Sequence, residues 1–383
     1  MQDELDQLFQ AIFKLDVARR VVTRSAISQA RRKISHRAFV DLLDAVCGFI
    51  NKHAPLVTYS GMRVFAIDGS TFRLPDLAEV RNVFGTARNK KTERAMGRIS
   101  ILHDVLNRIT YDAILNPYSS GEGEMAWRHL DESELPQSSL ILLDRGYVDF
   151  TLLRNIYDLG HHFCVRLKSN LKVTQIFKQS GLAEMCLQFK PSSHVRRQSP
   201  PESRFRQGFT VRLVRYKIGK KEYILMTTLL DTATFPLQDL FDLYHTRWQV
   251  EESYKVKKCR MRIEDVSGTT VETIRQDFHA KVFAECFTTA LMLEVRDAVE
   301  AYCMTTRNEY KVSLTQALAK MKNTLVLLFL RARPDRLISD LLTIFTKSLI
   351  EAAPGRKYRR KNRGKGKNPP KLQTQTKGYR YNR

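Results

Sequence analysis

Three carboxylates carry the chemistry that this sequence could perform. Asp68 follows the β-rich run 62–67, Asp144 follows the apolar run 139–143, and Glu251 lies in the amphipathic stretch 244–258, YHTRWQVEESYKVKK. Hard divalent cations such as Mg2+ take oxygen ligands and use few protein carboxylates, leaving positions for water and substrate phosphate. A pair of such ions can activate a water or a 3′-hydroxyl and stabilise the leaving oxygen in phosphoryl transfer. One such acid alone reads as a cap or a surface ion pair. Three of them, delivered by two strand ends and one helix, read as a site. On a helix turning about 100° per residue, Tyr244, Arg247, Glu251 and Lys258 share an arc of about 60°. Leu243, Val250, Tyr254 and Met261 form the neighbouring apolar stripe, so one edge can be buried while Glu251 is presented among two cations and a phenol.

The elements that must position these residues follow from periodicity. Residues 5–52 read as helical, with Ser35 a plausible N-cap for the last helix. Between those helices, the basic segment 23–33, TRSAISQARRK, reads equally as a DNA-contacting helix or a solvated face. Residues 62–67 read as a strand ending at Asp68, with Gly69 and Ser70 as turn residues. A hairpin is expected over 98–106 and 109–115, joined by Asn107 and Arg108, then a helix over 122–130 and the strand 139–143. That strand is apolar throughout, as in the middle of an α/β sheet covered on both faces, and it delivers Asp144 at its C-terminal end. A helix over 150–158 packs back.

The texture of 163–231 is that of a β-rich insertion with a flexible basic excursion over 191–206. Pro236 then opens one long helix carrying the 244–258 stretch. Further helices are expected over 271–302, 312–330 and 335–350. The division is 1–58 helical and DNA-binding, 59–162 and 232–305 the two parts of an α/β core, 163–231 the insertion, 306–353 helical, and 354–383 a disordered basic tail.

Lys and Arg number 64 against 40 Asp and Glu, a formal net charge of +24, which points to a polyanionic partner because each neutralised phosphate releases counterions. Six cysteines without CxxC spacing suit a reducing compartment and give no structural zinc pattern. No apolar run approaches the length of a bilayer span and the acidic N-terminus is unlike a signal peptide, so a cytoplasmic, nucleoid-associated protein with no membrane partner is expected.

The spacing Tyr244-x2-Arg247-x3-Glu251-x6-Lys258 resembles the YREK signature of bacterial insertion-sequence DDE transposases, the insertion sequence four family. Asp144-Arg145-Gly146-Tyr147 is similar to that family's second catalytic block, and Ile67-Asp68-Gly69 to its first. The resemblance covers about residues 23–302. It implies an RNase H-like core, a mixed sheet with flanking helices interrupted by the insertion, in which Asp68, Asp144 and Glu251 hold two Mg2+ ions, with Mn2+ a possible substitute. It further implies that Tyr244, Arg247 and Lys258 contact the phosphates and terminal nucleotides of a transposon end. Arg145 and Tyr147 of the second block, and Trp248 on the helix, join the expected DNA-contacting set.

Such a protein would act on double-stranded DNA, both element ends and target, as a homodimer in the DNA complex. It would cut and join strands at terminal inverted repeats. Relatives with this signature are described as stacking a flipped base on a tryptophan in the insertion. Here the only tryptophans are Trp127 and Trp248, leaving Phe189, Phe205, Tyr216 or Tyr223 as platforms. The competing readings are a catalytically inactive DNA-binding remnant or inhibitor, a junction-resolving nuclease that cleaves without joining, and an RNA-binding protein acting through its tail.

Overall fold

The computed structural model describes residues 2–88, 92–219, 221–330 and 333–352. The tail expected over 354–383 lies outside the described residues. Helices α1 (Gln2–Phe13), α2 (Arg24–Arg31) and α3 (Arg37–His53) open the chain. Thr23 caps α2 by accepting from the Ala26 N–H. The other end of α2 is docked: Arg31 donates to Gln276, Ser267, the Thr273 carbonyl and Asp277 at 2.6–2.8 Å. One cation of the basic segment is therefore committed to a helix inside the molecule. The N-cap of α3 is His36 rather than Ser35, because Glu272 accepts from both the His36 N–H and its ring at 2.6 and 2.9 Å.

The middle of the chain runs β1 (Val64–Arg73), α4 (Ala78–Phe84), β2 (Thr86–Arg88), β3 (Glu93–Asp104), β4 (Ile109–Pro117), α5 (Glu122–Glu132), β5 (Leu140–Leu143), α6 (Phe150–Asp158) and β6 (His162–Arg166). It continues through α7 (Lys172–Gln179), β7 (Glu184–Phe189), α8 (Ser193–Gln198), β8 (Phe209–Ile218) and β9 (Lys221–Thr227). The strands form one nine-stranded mixed sheet in the order β2-β3-β1-β5-β6-β9-β8-β7, with β4 on β3. Parallel pairing joins β1 to β5 and β5 to β6, while β1 to β3 is antiparallel. All four residues of β5 are buried, as its unbroken apolar run requires.

Two expectations are corrected here. Asp68 does not end its strand: Gly69 and Ser70, poor β-formers read as a turn, stay extended because β1 remains paired with β3 as far as Arg73 opposite Met96. The segment 163–231 does not stand apart from the core sheet, since β6 pairs with β5 on one side and β9 on the other. Its expected loop over 191–206 holds α8 and a short turn of helix at Arg204–Arg206, and before that loop the segment contains α7 and β7, which periodicity left unassigned.

The expected single helix over 244–258 is broken as well. It divides into α9 (Leu237–His245) and α10 (Trp248–Lys255), followed by a π-helical turn over Val256–Arg260. At the break the N–H groups of Thr246 and Arg247 reach the carbonyls of Leu243 and Tyr244, three residues back, at 3.0 and 3.1 Å. That tighter turn advances the chain and shifts the phase of everything after it. The π turn has a cause in Lys257, which is fully buried and donates to Thr110 and Ser253 at 2.7 Å and pairs with Glu285 at 2.6 Å.

Beyond it come α11 (Val271–Leu293), α12 (Arg296–Met304), β10 (Tyr310–Val312), α13 (Leu314–Leu330), α14 (Asp335–Lys347) and β11 (Leu349–Glu351). The helix expected over 271–302 is thus two, and the ends of the two helices that follow give way to a small β10–β11 ladder. The main core spans the sheet and its helices. A second, smaller core gathers Val295, Ala317, Met321, Leu328, Leu341 and Phe345. Among the described residues no helix is long and apolar enough to cross a membrane.

Candidate active site

The parallel pairing of β1 with β5 ends at Ala66 opposite Leu142, so the two chains diverge just where Asp68 and Asp144 stand. Divergence at the carboxyl ends of parallel strands opens the crevice in which α/β sheets place their ligands. The backbone at Asp68 is fixed from the helix side, because Tyr254 of α10 donates its hydroxyl to the Asp68 carbonyl at 2.6 Å. The end of β5 is fixed in the same way by α9: Tyr244 donates to the Leu143 carbonyl at 3.0 Å. Tyr244 is buried, and its hydroxyl faces the sheet.

Two arginines hold two of the acids. Asp144 accepts from Arg166 at the end of β6, and Glu251, in the first turn of α10, accepts from Arg247, each at 2.8 Å. Arg247 is buried, and its Nε has no hydrogen-bond partner. Charges of Asp144 and Asp68, besides the bond to Glu251, act on its guanidinium. Asp68 has its carboxyl pushed up to about 6, first by burial and also by Glu251 and Asp144, with Arg247 opposing. Its neutral form is favoured because two like charges share its low-dielectric surroundings. Asp68, Asp144 and Glu251 therefore occupy one electrostatic neighbourhood with Arg247 among them.

The other expected residues divide. Arg145 is exposed and has no ion pair among the described residues. Trp248 is 52% exposed at the start of α10. Tyr147 is buried, and its hydroxyl has no partner; burial raises it well above the usual phenol range, with Asp68, Glu122 and Asp144 adding to the shift. Lys258, within the π turn, clasps β1, donating to Ser70 at 2.8 Å and the Thr71 carbonyl at 2.6 Å.

Sequence reading missed Glu122, in the first turn of α5. A Cβ built at Gly69 would lie 3.4 Å from its Cγ, and one at Gly146 would lie 3.6 Å from its Oε2, so Glu122 lies across the backbone next to both aspartates. Arg98 stands 3.5 Å from it. No spacing rule marks this residue; the only signal is the pair of glycines that follow the two acids.

A cavity of about 630 Å³ extends from Asp144 along the insertion, lined by Arg145, Arg166, Lys168, Asn170, Thr174 and Tyr223 among others. Two buried polar atoms on its wall, Thr174 Oγ1 and Arg166 Nε, have no partner. Of the four aromatic candidates in the insertion, Tyr223 alone lines this cavity; Phe189 packs tilted against Phe150 and edge-to-face against Phe209. The donor set of three carboxylates suits a hard divalent cation, which would also relieve the charge that raises Asp68. Among the described residues, no three Asp, Glu, His or Cys side chains close in as a ligand group, since Asp144 and Glu251 are each turned to an arginine.

The model of the family described as "Transposase DDE domain" matches residues 59–286, more than half of the chain and all three acids. The chain belongs to the DDE transposases. Along 78% of its length it is 22% identical to the transposase InsG of insertion sequence element IS4 from Escherichia coli, 68% of which is covered. That similarity puts it with the insertion sequence four family. Among solved structures it is similar to the piggyBac transposase in a synaptic complex with hairpin DNA, at 12% identity and a TM-score of 0.42, over 77% of this chain and 59% of that one. DDE transposase domains generally use divalent metal ions.

Proposed function

We propose that this DDE transposase moves an insertion sequence by cut and paste, cleaving double-stranded DNA at terminal inverted repeats and joining the freed 3′-hydroxyl ends to target DNA. The observation that carries the reading is the position of Asp68 and Asp144 where β1 and β5 diverge, with Glu251 bonded to Arg247 and the charges of both aspartates acting on that guanidinium. The spatial order β4-β3-β1-β5-β6, with β3 antiparallel and β5 and β6 parallel to β1, supports an RNase H-like core.

Asp68, Asp144 and Glu251 are the residues that would hold two Mg2+ ions, or Mn2+ in their place. When bound, such ions lower the pKa of an attacking water or hydroxyl and stabilise the leaving oxygen. The chain's own residues bind and orient the DNA. Arg145 and Lys168, both exposed and without ion pairs among the described residues, grip strand phosphates at the cavity beside Asp144. Arg166 and Arg247, which pair with Asp144 and Glu251, offer planar forks to phosphate. Tyr223 supplies a stacking face in the same cavity, and Trp248 an exposed one on α10.

Tyr244 and Lys258 act one step back, by fixing the end of β5 and the far half of β1. Tyr147, buried with its hydroxyl unpartnered, stands within the field of Asp68, Glu122 and Asp144. DNA is held by a homodimer, one subunit at each end of the element. The test is Glu251→Gln on a duplex carrying the element's ends: strand cleavage and joining are lost while DNA affinity is kept. Full cleavage by that variant would sink the assignment.

A further inference from the structure

A second cavity, of about 580 Å³, lies against Gln249, Glu252 and Ser253 of α10 and Val256 of the π turn, and Glu251 is not part of its lining. Its other walls are the β3–β4 turn, α11, α12 and β10. Four cations meet there: Arg108, Arg260, Arg296 and Lys311. Arg296 donates to the Pro55 carbonyl and to Asn107, while Arg108, Arg260 and Lys311 make no hydrogen bond or ion pair among the described residues. Of the acids on the wall, Glu252 is paired with Lys255 and Glu285 with Lys257, leaving Glu300 to face the four.

The cations sense one another. Lys311 is pushed down first by desolvation, then by Arg108 and Arg260. Arg108 holds φ at 59°, a conformation unusual for a residue with a side chain. His103, 3% exposed, also lines the cavity; its Nδ1 is buried with no partner, and burial together with Lys257 and Arg108 keeps the ring neutral. Four cations facing the single acid left unpaired among the described residues of the lining, Glu300, beside an unsatisfied buried group, form a site whose natural occupant is an anion. The remaining lining, including Leu293, Val299 and Val312, is apolar.

We propose that this cavity binds a phosphate-bearing ligand, with the phosphate among Arg108, Arg260, Arg296 and Lys311 and an apolar body against α11 and α12. Two sources share that chemistry, a nucleotide unit of a DNA strand and a free phosphate ester. Gln249, Glu252 and Ser253 belong to the helix that presents Glu251, so an occupant here touches the catalytic element away from Glu251. The site stands whether or not the chain cleaves DNA, because its ligand is read by binding alone.

The experiment is titration calorimetry and thermal melting of the full chain with sodium pyrophosphate, against sodium chloride at matched ionic strength. Three proteins are compared: wild type, Arg108→Gly/Lys311→Ala, and Arg19→Ala/Arg20→Ala, the last removing the same charge elsewhere. Glycine keeps the backbone of position 108 unstrained. Pyrophosphate should bind and stabilise wild type and the Arg19/Arg20 variant, and bind the Arg108/Lys311 variant about tenfold or more weakly. Equal binding by the two double variants overturns the site, as does no binding by wild type. A short duplex then separates the sources: if the Arg108/Lys311 variant also loses DNA affinity, the phosphate belongs to a strand, and if it keeps it, to a free ester. Should the double variant not fold, Lys311→Ala alone, at an exposed position of β10, is compared with Arg19→Ala alone, which removes the same single charge.

Discussion

Asp68 shows how a single residue can be visible in sequence and still be misread in its setting. Its type and its place beside an apolar run were legible. Its carboxyl's burial and its two acidic neighbours were not, because both depend on partners 76 and 183 residues away along the chain, Asp144 and Glu251. The setting has a measurable consequence. With the carboxyl raised from 3.8 to about 6 in the folded chain, folding takes up a proton between those values. Ionised Asp68 therefore costs stability above about pH 6, by roughly 3 kcal/mol at most, and that cost disappears as pH falls below the unfolded value. Asp68→Asn should raise the melting temperature at neutral pH and leave it unchanged near pH 3.5, measured by calorimetry in the absence of metal. Glu122 was invisible for the complementary reason: an acid in a helix's first turn is the common case, stabilised there by the helix dipole.

At the scale of elements, most strands and helices were legible from periodicity, and the failures cluster where long-range pairing overrides local preference. Residues 69–73 stay extended because β3 runs beside them, and β6, β8 and β9 join the central sheet because β5 offers an apolar edge. The stretch 244–258 looked continuous since its apolar stripe keeps helical phase. Nothing in that stripe announces that Lys257 is buried, and burying it is what accompanies the π turn. Removing one partner of a buried ion pair leaves the other uncompensated, at a cost of about 3–5 kcal/mol. Lys257→Met should thus lower stability by about that amount in denaturant unfolding, and the double variant Lys257→Met/Glu285→Leu should recover most of it. If the single and double variants are equally unstable, the pair is not what shapes the turn.

For the whole molecule, net charge was legible at once, whereas the pairing of distant segments across one sheet was not. A formal charge of +24 is spread over a chain whose basic C-terminal stretch, 354–383, carries about a dozen Lys and Arg and no acid. Deleting that stretch should weaken DNA binding and flatten the slope of log affinity against log salt, with cleavage at the element's ends retained, because each phosphate contact removed takes about one counterion with it. A cleavage defect at saturating protein would place the tail in the chemistry instead.

The pairing of β5 with β6 has one more consequence, for exchange between relatives. Arg166, which grips Asp144, is the last residue of β6, and β6 is itself the seam between the catalytic strands and the strands that follow. Residues 163–231 are therefore not a cassette. Cutting them out would strip the wholly apolar β5 of a neighbour and leave a naked sheet edge, the kind of surface that recruits other chains. Chimeras built at these boundaries would inherit an aggregation problem before they inherited a new specificity, whereas a graft taken from Ser169 onward would leave the seam, and the grip on Asp144, intact.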